Sequence, residues 1–228
     1  MTTDGRDGLP LTAGQREQLD RLLGVLAEDP AAPTAITDRG ESARFHLADS
    51  LAALELEPVA AARRIADLGS GAGFPGAALA AALPQATVSL VESRRGRCAF
   101  LERLATAAGL ANVTVVCSRL EEWSEGLSRQ DLVVARALAP QPVVLEYAAP
   151  LLETGGSLVD WRGRRSDVEE KAAARAAQEL GMRLVEIRRT TPFPEARDHH
   201  LHVFAKLEQT PQRFPRRAGM ARKRPLGG

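Results

Sequence analysis

Residues 65–83 read "IADLGSGAGFPGAALAAAL", with four glycines among the eight residues from Gly69 to Gly76 and an alanine-rich run behind them. Glycine has no Cβ, so it reaches left-handed backbone angles and lets another group approach the main chain, at a cost in chain entropy. Set between an apolar run and a helical one, these glycines predict a strand, a tight turn and a helix, with the turn presented to a ligand. The surrounding sequence decides which ligand.

Downstream, the strand-then-helix pattern repeats. "RRIADL", "ATVSLVE", "VTVVCS", "DLVVARAL" and "GSLVDWRG" read as strands, with helices over "PGAALAAAL", "RGRCAFLERLATAAG", residues 142–152 and residues 167–180. Such alternation predicts parallel β/α units. "RLVEIRRTTPF" and "HHLHVFAKL" then follow each other without a helix, which predicts an antiparallel arrangement at one edge. Upstream, Leu19, Leu22, Leu23 and Leu26 recur at helical spacing, and Phe45, Leu47, Leu51 and Leu54 resume it after the loop "DPAAPTAITDRGE". The expected fold is α/β and Rossmann-like: a mostly parallel seven-stranded sheet with an antiparallel edge strand and an N-terminal helical extension. Residues 1–57 form the lead-in packed on the core, 58–208 the ligand-binding domain and 209–228 a basic arm.

Length and composition suit one folded unit, with 228 residues of which 44% are hydrophobic. No window is apolar enough for a membrane span, and "MTTDGRDGLPLTAG" lacks the pattern of a secretion signal, so a cytoplasmic, monomeric protein without membrane association is expected. Cys98 and Cys117 have neither C-x-x-C spacing nor neighbouring histidines, so no metal site and no disulfide framework is expected, and both read as small buried hydrophobes. The net charge of +1 hides an asymmetry. From Lys206 onward there are seven basic residues against Glu208 alone, a balance of +6 that leaves −5 for the rest. A polyanionic partner suits that end, as does a plain solvated tail.

Gly71, Gly73 and Gly76 satisfy G-x-G-x-x-G, the form of a nicotinamide or flavin dehydrogenase. Asp67, Gly69, Gly71 and Gly73 equally satisfy acid-x-G-x-G-x-G, the form of enzymes that use S-adenosylmethionine. Glu92 ends the second strand, where an acid accepts hydrogen bonds from ribose hydroxyls of either cofactor. Leu120 and Glu121, in "SRLEEW", fall where an adenine would lie, although a helix start favours acids in any case. Arg136 ends the fourth strand on the ligand edge and suits a carboxylate, a phosphate or a base edge, or a structural acid such as Asp131. His46, Asp49 and Ser50 share a helix face, an arrangement for local hydrogen bonds beside a pocket rather than a catalytic triad.

Together, "HLADSL", "DLGSGAGFPG", "SRLEEW", "VARALAP" and "TPQRFPRRAGMARKRPL" resemble the RsmG family, also called GidB, from about Thr34 to the carboxyl terminus. The family consists of bacterial class I methyltransferases that use S-adenosylmethionine on N7 of a guanine, position 527, of 16S ribosomal RNA. The resemblance implies cofactor contacts at Gly69, Phe74, Leu120, Glu121 and Arg136, beside Gly71, Gly73 and Glu92 from the glycine pattern and strand end. Phe74, a large apolar residue inside the turn, is then expected to lid the cofactor. The chain departs from the family upstream, where "EDPAAPTAI" replaces the usual tryptophan-asparagine and asparagine-leucine-threonine.

Guanine N7 carries a lone pair and no proton, so attack on a sulfonium methyl needs alignment and no general base. No catalytic residue is therefore assigned beyond Arg136 as a positioning candidate. Methylation at cytosine C5 requires a cysteine nucleophile, and neither cysteine has the context for one. Adenine N6 enzymes carry an asparagine-proline-proline-aromatic motif after the fourth strand, where this chain has "ARAL". Aromatic residues make up 4% and no strand concentrates them, so RNA, naked or as the small subunit, is expected to be held by charge. Arg213, Arg216, Arg217, Arg222, Lys223 and Arg224 are the candidates, on an extended arm pinned by Phe214, because Pro211, Pro215, Pro225 and Gly219 discourage a helix. A dehydrogenase and a catalytically silent RNA-binding module are the competing readings.

Overall fold

The computed structural model describes residues 11–228, and the first ten residues of the lead-in lie outside the described residues. Helix α1 (Ala13–Glu28) opens with a capping box: the Thr12 hydroxyl accepts the Gln15 N–H, the Gln15 side chain accepts the Thr12 N–H, and the four predicted leucines are buried. The second helical stretch is more broken than its periodicity suggests. It runs through α2 (Arg39–Ser42), one π-helical turn (Ala43–Ala48), α3 (Asp49–Leu51), a 3-10 turn (Ala52–Glu55) and α4 (Glu57–Ala60).

Seven strands follow: β1 (Arg64–Leu68), β2 (Thr87–Glu92), β3 (Val113–Cys117), β4 (Gln130–Arg136), β5 (Leu152–Arg162), β6 (Met182–Arg189) and β7 (His200–Lys206). They form one sheet in the order β3-β2-β1-β4-β5-β7-β6. Strands β1 to β5 pair in parallel, whereas β7 lies antiparallel between β5 and β6. The expected antiparallel pairing at that edge is therefore present. The order reverses between β1 and β4, and a crevice at the carboxyl ends beside that reversal is the ligand position of open α/β sheets.

Strand alternation divides the core. Ile65, Leu132, Val134 and Val159 face α1, α5 (Gly76–Ala82) and α6 (Arg95–Ala108). Ala66, Leu68, Val133, Ala135 and Leu158 face α7 (Gln141–Ala148), α8 (Asp167–Glu179) and α9 (Met220–Lys223). Within the lead-in Arg39 of α2 pairs with Asp20 of α1, and the lead-in is tied to this body by the Arg103–Asp29 pair and by the Trp161 indole N–H, which donates to the Asp49 carbonyl at 3.0 Å.

Two expectations are corrected here. The arm is not extended: it folds back over α7 and α8 and contains the short helix α9. Phe214 is buried, as a pinning residue should be, and Ala221 with it. Arg216 clasps the buried carboxylate of Glu146, Nε to Oε1 2.6 Å, and Arg213 bonds Glu179 at 2.9 Å. The prolines prevent a long helix but not a series of turns, and a buried Glu146 requires a cationic partner. Lys206 is buried as well, its ammonium donating to the Leu180 carbonyl, so it adds nothing to a basic surface. The cysteines are the second correction. Cys98 is buried but Cys117 is exposed, and the two are joined as a disulfide. They lie 19 positions apart in sequence, yet α6 begins beside the end of β3 and brings their Cα atoms to 5.7 Å.

Asp160 on β5 is buried, accepts the Gln141 amide at 3.0 Å and lies 3.8 Å from the Arg162 guanidinium. Burial pushes its carboxyl up to about 7 despite the opposing Arg162 charge. A folded value above the unfolded one means that the stabilising contribution is complete below the unfolded value of about 3.9 and is lost as pH rises through about 7. Asp160→Asn keeps the hydrogen bond and removes the titration. Its stability relative to wild type, followed by thermal or urea unfolding, is expected to rise by a few kcal/mol between about pH 4 and 8; a constant difference would contradict the buried-acid account.

Candidate active site

The turn after β1 is held from beneath. The Gly69 and Ser70 N–H groups both donate to the Val91 carbonyl, at 2.8 and 3.1 Å, carrying the pairing past the strand end. Asp67, fully buried, accepts the Gly76 N–H at 3.0 Å, and the Ser70 hydroxyl donates to the Asp67 carbonyl. Burial raises the Asp67 carboxyl to about 6. Asp67 thus braces the turn.

The glycines of this turn serve different ends. Gly69, Gly71 and Gly73 have φ of +66°, +54° and +95°. A Cβ at Gly69 would lie 2.6 Å from Leu138, one at Gly73 2.6 Å from Leu104, and one at Gly76 2.5 Å from Leu90. These are packing requirements. At Gly71 the nearest neighbour would be the Gly69 carbonyl at 3.7 Å, so its backbone faces open space where a ligand can approach.

A cavity of about 540 Å³ opens at the carboxyl ends of these strands, between Gly69, Glu92, Leu120, Glu121, Leu138 and the arm at Gly219 and Arg222. That volume is within the usual range for a small-molecule site. Glu92 is buried, and its Oε1 accepts the N–H groups of Ser93 (2.8 Å) and Arg94 (2.9 Å). Its Oε2 lies 3.7 Å from Arg97 and has room for a hydroxyl. Leu120 lends an apolar wall. Glu121 also lines the cavity, but its carboxylate accepts the Gly219 N–H at 2.7 Å and so fastens the arm over the pocket.

Phe74 and Arg136 are placed otherwise than as cavity walls. Phe74 is buried in the core beneath the lead-in, where it stacks on His46 with centroids 5.1 Å apart and planes 20° apart. Its ring packs and does not lid the pocket. The Arg136 guanidinium donates to Asp49 at 2.9 Å and to the Phe45 carbonyl at 3.1 Å, and lies 3.2 Å from His46 Nδ1. Its acid is therefore Asp49. Asp131 instead accepts the Arg63 and Arg64 N–H groups at the other end of the sheet. Burial and the Arg136 charge push His46 down to about 4, which leaves a neutral ring that meets the Thr34 hydroxyl through Nε2. The His46, Asp49 and Ser50 face is thus a hydrogen-bonding arrangement beside the pocket.

Tyr147 and Leu138 line the cavity without having been legible as site residues, and Arg222, expected on RNA phosphates, lines it as well. Leu138 sits in "ARALAP", where Ala137 adopts φ +54°, and Arg222 donates to the Leu138 carbonyl at 3.0 Å. The one available signal was the turn after β4; the contribution of the arm has none. Among the described residues no group of His, Cys, Asp and Glu could hold a metal ion, and no helix is long and apolar enough to cross a membrane.

Solved structures share this fold. A Thermotoga maritima SAM-dependent O-methyltransferase superposes with a TM-score of 0.59 at 20% identity, covering 79% of this chain and 74% of that one. Aeropyrum pernix fibrillarin with bound S-adenosyl-L-methionine gives 0.55 at 16% identity, over 69% and 73%. The family model for rRNA small subunit methyltransferase G matches residues 17–197. Curated relatives named ribosomal RNA small subunit methyltransferase G include that of Rubrobacter xylanophilus, 40% identical over 80% of this chain and 72% of the relative. That of Synechococcus elongatus is 37% identical over 93% and 90%. With the glycine turn, the strand-end acid and the post-β4 loop all in one crevice, the match spans most of the sheet and its lead-in, and the chain belongs to the rRNA small subunit methyltransferase G (GidB) family.

Proposed function

We propose that the chain transfers the methyl group of S-adenosylmethionine to N7 of a guanine in 16S ribosomal RNA, the guanine at position 527. Glu92 carries the cofactor part of this reading: a buried carboxylate with one oxygen committed to two backbone N–H groups and the other available at the cavity suits the paired hydroxyls of a ribose. S-adenosylmethionine supplies an electrophilic sulfonium methyl. The chain's own part is placement. Gly71 admits the cofactor to the backbone, Leu120 and Leu138 supply apolar walls, and the turn after β4 bounds the side from which a nucleobase enters. No proton leaves guanine N7 during attack, so no general base is needed, and alignment carries much of the rate.

RNA phosphates fall to the basic residues the arm leaves exposed. Arg217, Lys223 and Arg224 are in that position. Arg213 and Arg216 are committed to Glu179 and Glu146, and Arg222 to the Leu138 carbonyl. Their roles are to hold the arm and roof the pocket.

Incubation with undermethylated small subunits and labelled cofactor is expected to place label in 16S RNA that maps, by cleavage at N7-methylguanine, to one guanine. RNA without label sinks the assignment; RNA binding without turnover would indicate a silent binding module. Gly71→Val tests the turn separately. Branches at φ +54° strain the backbone by about 1 kcal/mol and enter the approach space. Affinity for S-adenosylhomocysteine, measured by calorimetry, is expected to fall about tenfold or more in a folded variant; unchanged affinity would place the cofactor elsewhere.

A further inference from the structure

Phe45 is the only aromatic residue among the large hydrophobic side chains left exposed in the described residues, at 39% of its surface. It lies in the π-helical turn Ala43–Ala48, a rare geometry that recurs at functional sites. Its ring meets Phe193 edge-to-face, centroids 4.9 Å apart, and Phe193 meets His199 in the same way at 5.4 Å. His199 Nδ1 is 3.0 Å from the Asp49 carboxylate that also holds Arg136. The Phe45 carbonyl accepts the Arg136 guanidinium, and the next residue, His46, stacks on Phe74 of the glycine turn. Three rings, one from the lead-in and two from the β6–β7 connection, thus assemble at the ligand edge of the sheet. The low aromatic content gave no sign of this.

The proposed chemistry has a requirement that these rings meet. In an A-form helix guanine N7 lies in a deep, narrow groove that side chains do not enter. An enzyme acting on that atom takes the base out of its stack or uses one already unstacked, and an aromatic face replaces part of the lost stacking. We infer, on the reading of the function given above, that Phe45 is the stacking platform for the target guanine, backed by Phe193 and His199 and set by Arg136 through the Phe45 carbonyl. Exposed Arg44 beside Phe45, and exposed Arg197 two residues before His199, supply positive charge for the flanking phosphates. Phe45 has no part in holding the cofactor.

Phe45→Leu keeps an apolar side chain against Phe193 and removes the π face, whereas Phe45→Tyr keeps both. Single-turnover methyl transfer to small subunits is expected to fall about tenfold or more in Phe45→Leu and to return to near wild type in Phe45→Tyr. Melting temperature and S-adenosylhomocysteine affinity are expected to stay at wild-type values in both. Wild-type transfer by Phe45→Leu overturns the inference, as does a parallel loss of cofactor affinity, which would make Phe45 a packing residue. A second readout does not depend on turnover: the emission of Phe45→Trp, above that of buried Trp123 and Trp161, is expected to be quenched by an unpaired guanine-containing RNA oligonucleotide. If wild type labels no guanine, the functional reading fails by itself, and the quenching then decides for or against the platform.

Discussion

A single buried carboxyl group, that of Asp67, fixes the turn on which the site depends. Three consecutive odd-numbered glycines, 69, 71 and 73, take left-handed angles, and such a turn collapses unless its far end is tied down. Asp67 ties it by accepting the Gly76 N–H, while the Val91 carbonyl anchors its start. With both ends held, the Gly71 backbone faces open space beside Gly69, which itself lines the crevice. The cost appears in the raised Asp67 carboxyl, since burial opposes its charge and only a few hydrogen bonds and the distant Arg136 offset it.

The sheet supplies one side of the site, and segments remote in sequence supply the rest. The lead-in reaches over the carboxyl edge and takes the Arg136 guanidinium into a cluster with Asp49, His46 and the Phe45 carbonyl. The arm comes back from the other end of the chain, with Gly219 on Glu121 and Arg222 on the Leu138 carbonyl. Arg216 on Glu146 makes that return path stable, because a buried carboxylate left unpaired is costly. Crevice, lead-in and arm are therefore held together by a few hydrogen bonds to charged side chains. A basic tail acting solely as a phosphate anchor would not be built in this way.

Local signals carried most of the fold. Apolar runs alternating with helical periodicity placed all seven strands and the helices between them, and the glycine turn with Glu92 located the crevice, because strand, turn and helix are set by neighbouring residues. Features that depend on which distant segment arrives were hidden. Phe74 points into the core because His46 waits there, and Arg136 pairs with Asp49 rather than Asp131 because the lead-in crosses the carboxyl edge. The same holds for the Cys98–Cys117 link, for burial of Lys206 and for an arm that folds although its prolines forbid a long helix. The proposed substrate is legible only through family motifs, since the N7 chemistry proposed for it asks for no acid-base pair that a sequence could reveal.

Whether the crevice holds the cofactor is decided by calorimetric titration of the wild-type protein with S-adenosylhomocysteine. Saturable binding at one site per chain is expected, with no heat from NAD under the same conditions. A folded protein that binds NAD, or that gives no heat with S-adenosylhomocysteine, would contradict it.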